Sequence, residues 1–279
     1  MIRSYCGQVL LALLFCSPNG ISGFTTIADR NGSSRSMILR ASSETTLELK
    51  GVVEVSSNPL PSLPADKMAS FFEATEIRNM LVTAGGKRPC EELSAAGAIL
   101  QEWKEACSVV GAELPEERDS PLSVKTGGID FPGLRLESKA KIGAKLISEP
   151  SPRYEFVLIG DEQTVTGLPP VKWVYNKLTG NDGEKSGSNS STSSLTTISY
   201  DETNDGKTVI KSNASLSISV KFPSILLKIM PTNKEKAEET GGNALCKTLE
   251  KDVQASMDAV EKAYLKFVEE ANSTASTVS

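Results

Sequence analysis

The chain has 279 residues, with 30 Lys and Arg against 35 Asp and Glu, five cysteines and no histidine. The missing histidine removes the usual general base near neutral pH, the third member of Ser and Cys triads, and the commonest zinc and haem ligand. Residues 1–43 hold four of the basic and one of the acidic groups, so the other 236 residues carry 26 against 34, a net charge of −8; an acidic chain with no basic block releases few phosphate counterions, which argues against nucleic acid as a partner.

Met1 to Gly23 begins with one charge, Arg3, passes through the apolar run Val9 to Cys16 and ends in small and polar residues. That is the layout of a secretory signal peptide. The run is too short to cross a hydrocarbon core of roughly 30 Å as a helix, so no transmembrane segment is expected in the mature protein. Phe24 follows directly, and Phe24 to Ser43 holds seven Ser or Thr, three Arg and the single acid Asp29. This is transit-peptide composition. A signal peptide, then phenylalanine, then a basic Ser-rich stretch resembles the bipartite presequences of algae with secondary plastids of red-algal descent. A plastid location is therefore expected, with secretion or residence in the ER as the alternative. Acceptor patterns at Asn31, Asn189, Asn213 and Asn272 fit either route, since both begin in the secretory system.

The folded body is expected over residues 44–271. Thr46 to Ser56 alternates, with Leu47, Leu49, Val53 and Val55 on one face, as a half-buried strand does. The proline-rich stretch after Asn58 ends it. Two short helices are predicted over Ala65–Ala74 and Thr75–Thr83, with Thr75 as an N-cap. A longer helix is predicted over Glu91–Val110, where Leu93, Ala96, Leu100, Trp103, Cys107 and Val110 recur at helical spacing before Gly111. Its expected place is on the sheet or over a cavity mouth. Gly85-Gly86 and Gly127-Gly128 read as turns.

From Leu122 to Phe222 the period becomes two. Leu134, Leu136, Ala140, Ile142, Ala144 and Leu146 share one face of a long strand, with Arg135, Lys141 and Lys145 opposite. Tyr154, Phe156 and Leu158 begin a second strand, and Val171–Leu178 is a third. Gly180–Ser194 is low-complexity and expected to be a disordered loop. Leu195–Tyr200 and Thr208–Phe222 form a hairpin around Asn204-Asp205-Gly206. Thr232–Ala271 is a long amphipathic helix, with Leu245, Leu249, Val253, Met257, Val260, Tyr264 and Phe267 on one side. Gly241-Gly242 is expected to weaken or bend it, and residues 272–279 are expected to be a disordered tail.

Cys6 and Cys16 leave with the signal peptide. Cys90, Cys107 and Cys246 are odd in number and widely spaced, so neither a disulfide framework nor a zinc site is expected. No GxxxxGK[ST] and no GxGxxG after a strand are present, so no nucleotide or other cofactor is expected.

The stretches Gly128-Ile-Asp-Phe-Pro-Gly-Leu-Arg-Leu and Val220-Lys-Phe-Pro-Ser-Ile-Leu-Leu-Lys-Ile-Met-Pro231, with Gly242 ahead of the last helix, carry a family resemblance. Over roughly Leu47 to Phe267 the chain resembles a plastid and cyanobacterial family known as "domain of unknown function 1997", within the START-like superfamily. The resemblance implies an α+β helix-grip fold: a curved antiparallel sheet of six to seven strands around a long C-terminal helix, with two short helices after the first strand and an inserted helix. The inserted helix and the Ser-rich loop depart from the family pattern, as does Lys266-Phe267 where a tryptophan is expected.

Such a fold implies a cavity for a hydrophobic small molecule between sheet and helix. Its expected lining is Leu249, Val253, Met257, Val260 and Tyr264 on the helix, facing Leu136, Ala140, Ile142, Leu216 and Ile218. Packing alone explains the same stripes, because an amphipathic face is first a device for building a core. The alternative function is a scaffold or assembly factor for plastid complexes, meeting a protein partner through its acidic surface and the helix bearing Trp103. Enzymatic activity is not expected, since no cluster of acids or bases accompanies the apolar stripes.

Overall fold

A computed structural model describes residues 44–117, 119–125, 129–131, 134–169, 190–223 and 233–276. The presequence, Gly127-Gly128, the expected strand Val171–Leu178 and residues 180–189 of the expected loop lie outside them.

The described chain forms one antiparallel sheet of nine strands: β1 (Glu44–Ser56), β2 (Leu60–Pro61), β3 (Cys90–Glu92), β4 (Ser120–Lys125), β5 (Ile129–Phe131), β6 (Leu134–Ile147), β7 (Arg153–Gly167), β8 (Ser190–Glu202) and β9 (Lys207–Pro223). Seven run in the order β1-β9-β8-β7-β6-β4-β3; the short β2 pairs with β9 beside the end of β1, and β5 pairs with β6. Among the described residues four helices accompany the sheet: α1 (Ala65–Glu73), α2 (Thr75–Val82), α3 (Gly97–Val110) and α4 (Lys234–Ser276). This is the helix-grip α+β architecture.

The inner face carries α1, α2 and α4. Leu47, Leu49, Val53 and Val55 of β1 are buried there, as are Ile210, Ala214, Leu216 and Ile218 of β9, so the alternation read from the sequence is the alternation that packs. From α4, Leu245, Leu249, Val253, Met257, Val260 and Tyr264 enter the same core.

Gly241-Gly242 does not interrupt α4. A Cβ on Gly242 would stand 2.9 Å from the Lys50 carbonyl oxygen, and one on Gly51 would stand 3.3 Å from Cys246 Sγ. The glycines let a helix backbone approach a strand backbone, and that contact offsets the helix propensity they lack.

Several boundaries differ from expectation. Glu91 and Glu92 belong to β3, and α3 begins only at Gly97, because pairing with Ser123 and Leu122 of β4 claims that segment. Thr75 is the first residue of α2, not its N-cap; Ala74 precedes it in extended conformation, with no side-chain cap. Ser190–Ser194 is strand, held by register pairing with Leu216–Val220 of β9. Helix α4 runs past Ala271 to Ser276, so much of the expected tail is helical. No helix among the described residues is long and apolar enough to cross a membrane.

On the outer face lies α3. Trp103 and Cys107 pack there with Val157 of β7 and with Leu195 of β8. Gly143 of β6 makes room: a Cβ at that position would fall 2.0 Å from the Trp103 indole. Lys145 occupies the polar face the sequence assigned it, yet it is buried. Its Nζ donates to the Leu114 carbonyl at 2.6 Å and lies 3.5 Å from Glu116, because the chain leaving α3 folds over it.

Candidate functional site: a cavity between sheet and C-terminal helix

The space between sheet and α4 is filled unevenly. Near β2 an aromatic cluster closes it. Phe71 meets Tyr264 edge-on at 5.1 Å, Phe72 lies 6.1 Å from Tyr154, and Tyr154 stacks on Phe156 at 5.2 Å. The two phenols are tied down: Tyr154 donates to the Phe72 carbonyl at 2.5 Å and Tyr264 to the Pro61 carbonyl at 2.7 Å. Burial pushes the Tyr154 hydroxyl up to about 12, so it remains a neutral donor.

Beyond Phe156 the packing loosens into a cavity of about 80 Å³. Its apolar wall comes from Leu81 and Val82 of α2, Ile142 of β6, Phe156 and Leu158 of β7, Ile198 of β8, and Leu249, Val253 and Met257 of α4. Ser194, Thr196, Ser212, Ser256 and Asp252 supply the polar remainder.

These polar groups differ in how well they are satisfied. Ser256 donates to the Leu81 carbonyl at 3.1 Å, and Asp252 accepts from Arg88 at 3.0 Å. The Ser212 hydroxyl has no partner although the residue is fully buried. A buried, unsatisfied hydroxyl costs about 1–3 kcal/mol, so it is a place for a water or for a polar ligand atom. Asp252 is the only carboxylate among the described lining residues. It is already committed to an ion pair, which leaves no obvious general base on the wall.

Of the residues expected from sequence, Ile142, Leu249, Val253 and Met257 line this cavity. Ala140, Leu216, Ile218, Val260 and Tyr264 do not; they are packed into the solid core. Leu136 lies in β6 opposite Val165, where side chains are outside the described set. The expected residues that border this cavity thus come from one central stretch of α4 and from Ile142 of β6, and the rest of its strand wall comes from β7, β8 and Ser212 of β9. Phe156, Leu158 and Ile198 were missed. The available signal was Ser212, the lone polar residue in the inward row Ile210, Ser212, Ala214, Leu216.

Larger hollows lie elsewhere but are surface features. One of about 580 Å³ between β1 and the start of α4 is bordered by Glu48, Lys50, Lys234, Glu238 and Glu239 and open to solvent. Among the described residues no cluster of His, Cys, Asp or Glu could hold a metal ion.

No family model matches the chain, and no curated protein matches it. Among solved structures it is similar to a conserved protein from Geobacillus kaustophilus, at 12% identity and TM-score 0.35 over 79% of this chain and 96% of that one. It is also similar to the di-domain ARO/CYC protein BexL from the BE-7585A biosynthetic pathway, at 12% identity and TM-score 0.33, over 77% of this chain and half of that one. A protein from Rhizobium leguminosarum gives 13% identity and TM-score 0.31, over 78% and 99%. Likeness at this level carries no argument about what the chain binds or does.

Proposed function

We propose that this protein is a non-catalytic binder of a hydrophobic small molecule, held between the sheet and α4. The observation that carries the reading is the apolar cavity with the unpartnered Ser212 hydroxyl on its wall. Apolar surroundings with a few placed polar groups are the usual make-up of such sites. At about 80 Å³ the cavity admits only part of a ligand as it stands. Met257 is the residue best suited to enlarge it, since an unbranched thioether shifts rotamer at small cost. The scaffold alternative loses one of its supports, because Trp103 is seated against Gly143 and is not available to a partner.

The test is binding of the neutral fluorescent probe N-phenyl-1-naphthylamine to residues 44–279, with Met257→Trp as the block. Free volume beside Met257 lets the larger ring fold in, so the variant should lose the probe and keep a native circular dichroism spectrum. In a fully packed core the same change costs about 1–3 kcal/mol. Absent probe binding together with a clear drop in melting temperature for Met257→Trp would remove the binder reading.

The place of action we propose is the plastid of an alga with a secondary plastid, on the strength of the signal-like residues 1–23, Phe24 and the basic Ser-rich residues 25–43. Residues 1–43 fused to a fluorescent protein should reach the plastid stroma, and Phe24→Ala should hold the fusion outside it. Secretion of the parent fusion, or stromal import of the variant at the parental level, would refute this placement.

A further inference from the structure

Among the described residues, strands β7 and β8 pair at four positions, Tyr154–Val157 with Leu195–Ile198. Beyond Val157 and Leu195 each strand keeps its other neighbour: β7 stays paired with β6 to Gly167, and β8 with β9 back to Ser190. The sheet is therefore split between them. A bulge on the β6 side of β7 lies beside the split. Lys141 of β6 faces Gly160 and Ile142 faces Leu158, so Ile159 has no opposite residue. An extra residue bends its strand and disrupts the ladder locally, while the alternation of β7 continues through it, with Ile159 outward toward α3 and Leu158 inward.

The split separates two hollows that share a wall. Inside is the cavity with Leu158, Ser194 and Ser212. Outside is a groove of about 240 Å³ under α3, bounded by Leu158, Ile159, Thr192, Ser193, Glu102 and Glu105. Two buried hydroxyls near the split have no partner, those of Ser212 and Thr192; Thr192 pairs with the core residue Ile218, so both sit on the inner face. The inner cavity alone is smaller than the roughly 300 Å³ at which ordinary ligand sites begin, whereas cavity and groove together reach that size.

We infer that the ligand enters and lies through this split, with Leu158 as the gate. The inference rests on the binder reading above. An elongated molecule places its apolar end against Met257 and its polar end in the groove, where the facing strand edges offer backbone hydrogen bonds. Glu102 and Glu105, both exposed, set the charge there. The head group is therefore an amine or a hydroxyl, and not a carboxylate.

The experiment uses stopped-flow binding of N-phenyl-1-naphthylamine and its displacement by dodecylamine, dodecanol and dodecanoate. Leu158→Trp should slow probe association and dissociation together, by about tenfold, and Leu158→Ala should speed both, with the dissociation constant changed far less. In the parent, dodecylamine should displace the probe better than dodecanoate by about three- to tenfold. The double variant Glu102→Lys, Glu105→Lys should reverse that order. Rates indifferent to both Leu158 variants, or a head-group order indifferent to the double variant, would overturn the portal while leaving the cavity in place if Met257→Trp still blocks binding. A parent that binds no probe overturns both.

Discussion

On the inner face of the sheet, α4 lays down a stripe from Ala237 to Val268 that spans most of a helix roughly 65 Å long. On the outer face, α3 meets the sheet through Trp103, Cys107 and their few neighbours. Both helices are seated by glycine, and the seats differ. Gly242 brings backbone to backbone, so that α4 and β1 close without side chains between them; Gly143 opens a recess that one indole fills. The inner contact spreads over many residues and can leave a cavity in the middle without coming apart. The outer one is concentrated in a single side chain.

That contrast predicts the largest effect at Trp103. Replacing it by alanine empties a recess that no neighbour can fill, and the expected loss is about 3–5 kcal/mol. The loss should be local in kind. Amide exchange should rise across Gly97–Val110 and around Leu114, where Lys145 would lose the cover of the chain above it, and α4 should stay protected. In the same variant Cys107 should become reactive. In the parent, burial pushes its thiol up to about 11, so little thiolate forms near neutral pH and alkylating reagents should pass it over. A Trp103→Ala protein in which α3 remains protected and Cys107 inert would show that the outer helix is held by something other than this side chain.

The sequence was most readable where one physical signal decided the outcome. The alternation of β1 and β9 and the stripe of α4 are burial patterns with a fixed period, and each packs as its period says. It was least readable where tertiary pairing overrode local composition. Ser190–Ser194 looks like solvated low-complexity chain, yet the hydrogen-bonding edge of β9 makes it a strand. Glu91-Glu92 fits a helix pattern until β4 supplies a strand partner. The covering of Lys145 follows from α3 landing on the outer face, which period-two alternation cannot reveal.

The site has the same history. A stripe shows which side of α4 is buried, not where packing fails along it. Tyr264 was expected at a cavity wall, but its hydroxyl reaches Pro61 and its ring packs on Phe71, so it belongs to the closed end. The cavity opens instead beside the β7 bulge, and a bulge has no reliable signature in a single sequence.

A smaller effect separates two positions on the inner helix that look alike in sequence. Leu245 is 1% exposed and sits beside Gly51, where a Cβ on that glycine would come within 3.6 Å of the leucine Cβ. Leu249, one turn on, borders the cavity. Leucine-to-alanine changes in cores cost about 2–5 kcal/mol, and the cost grows with the number of contacts left unfilled. Leu245→Ala should therefore fall toward the top of that range and Leu249→Ala toward the bottom, whereas exposed Lys251→Ala should stay within about 0.5 kcal/mol. Denaturant titration of the three proteins gives the order directly. The leucines should also part company in binding, because Leu249→Ala enlarges the cavity and should tighten N-phenyl-1-naphthylamine, while Leu245→Ala makes a separate void and should leave its affinity unchanged. Equal stability losses with no difference in probe affinity would mean that Leu249 packs as densely as Leu245, and the loosened stretch of the inner face would have to lie elsewhere.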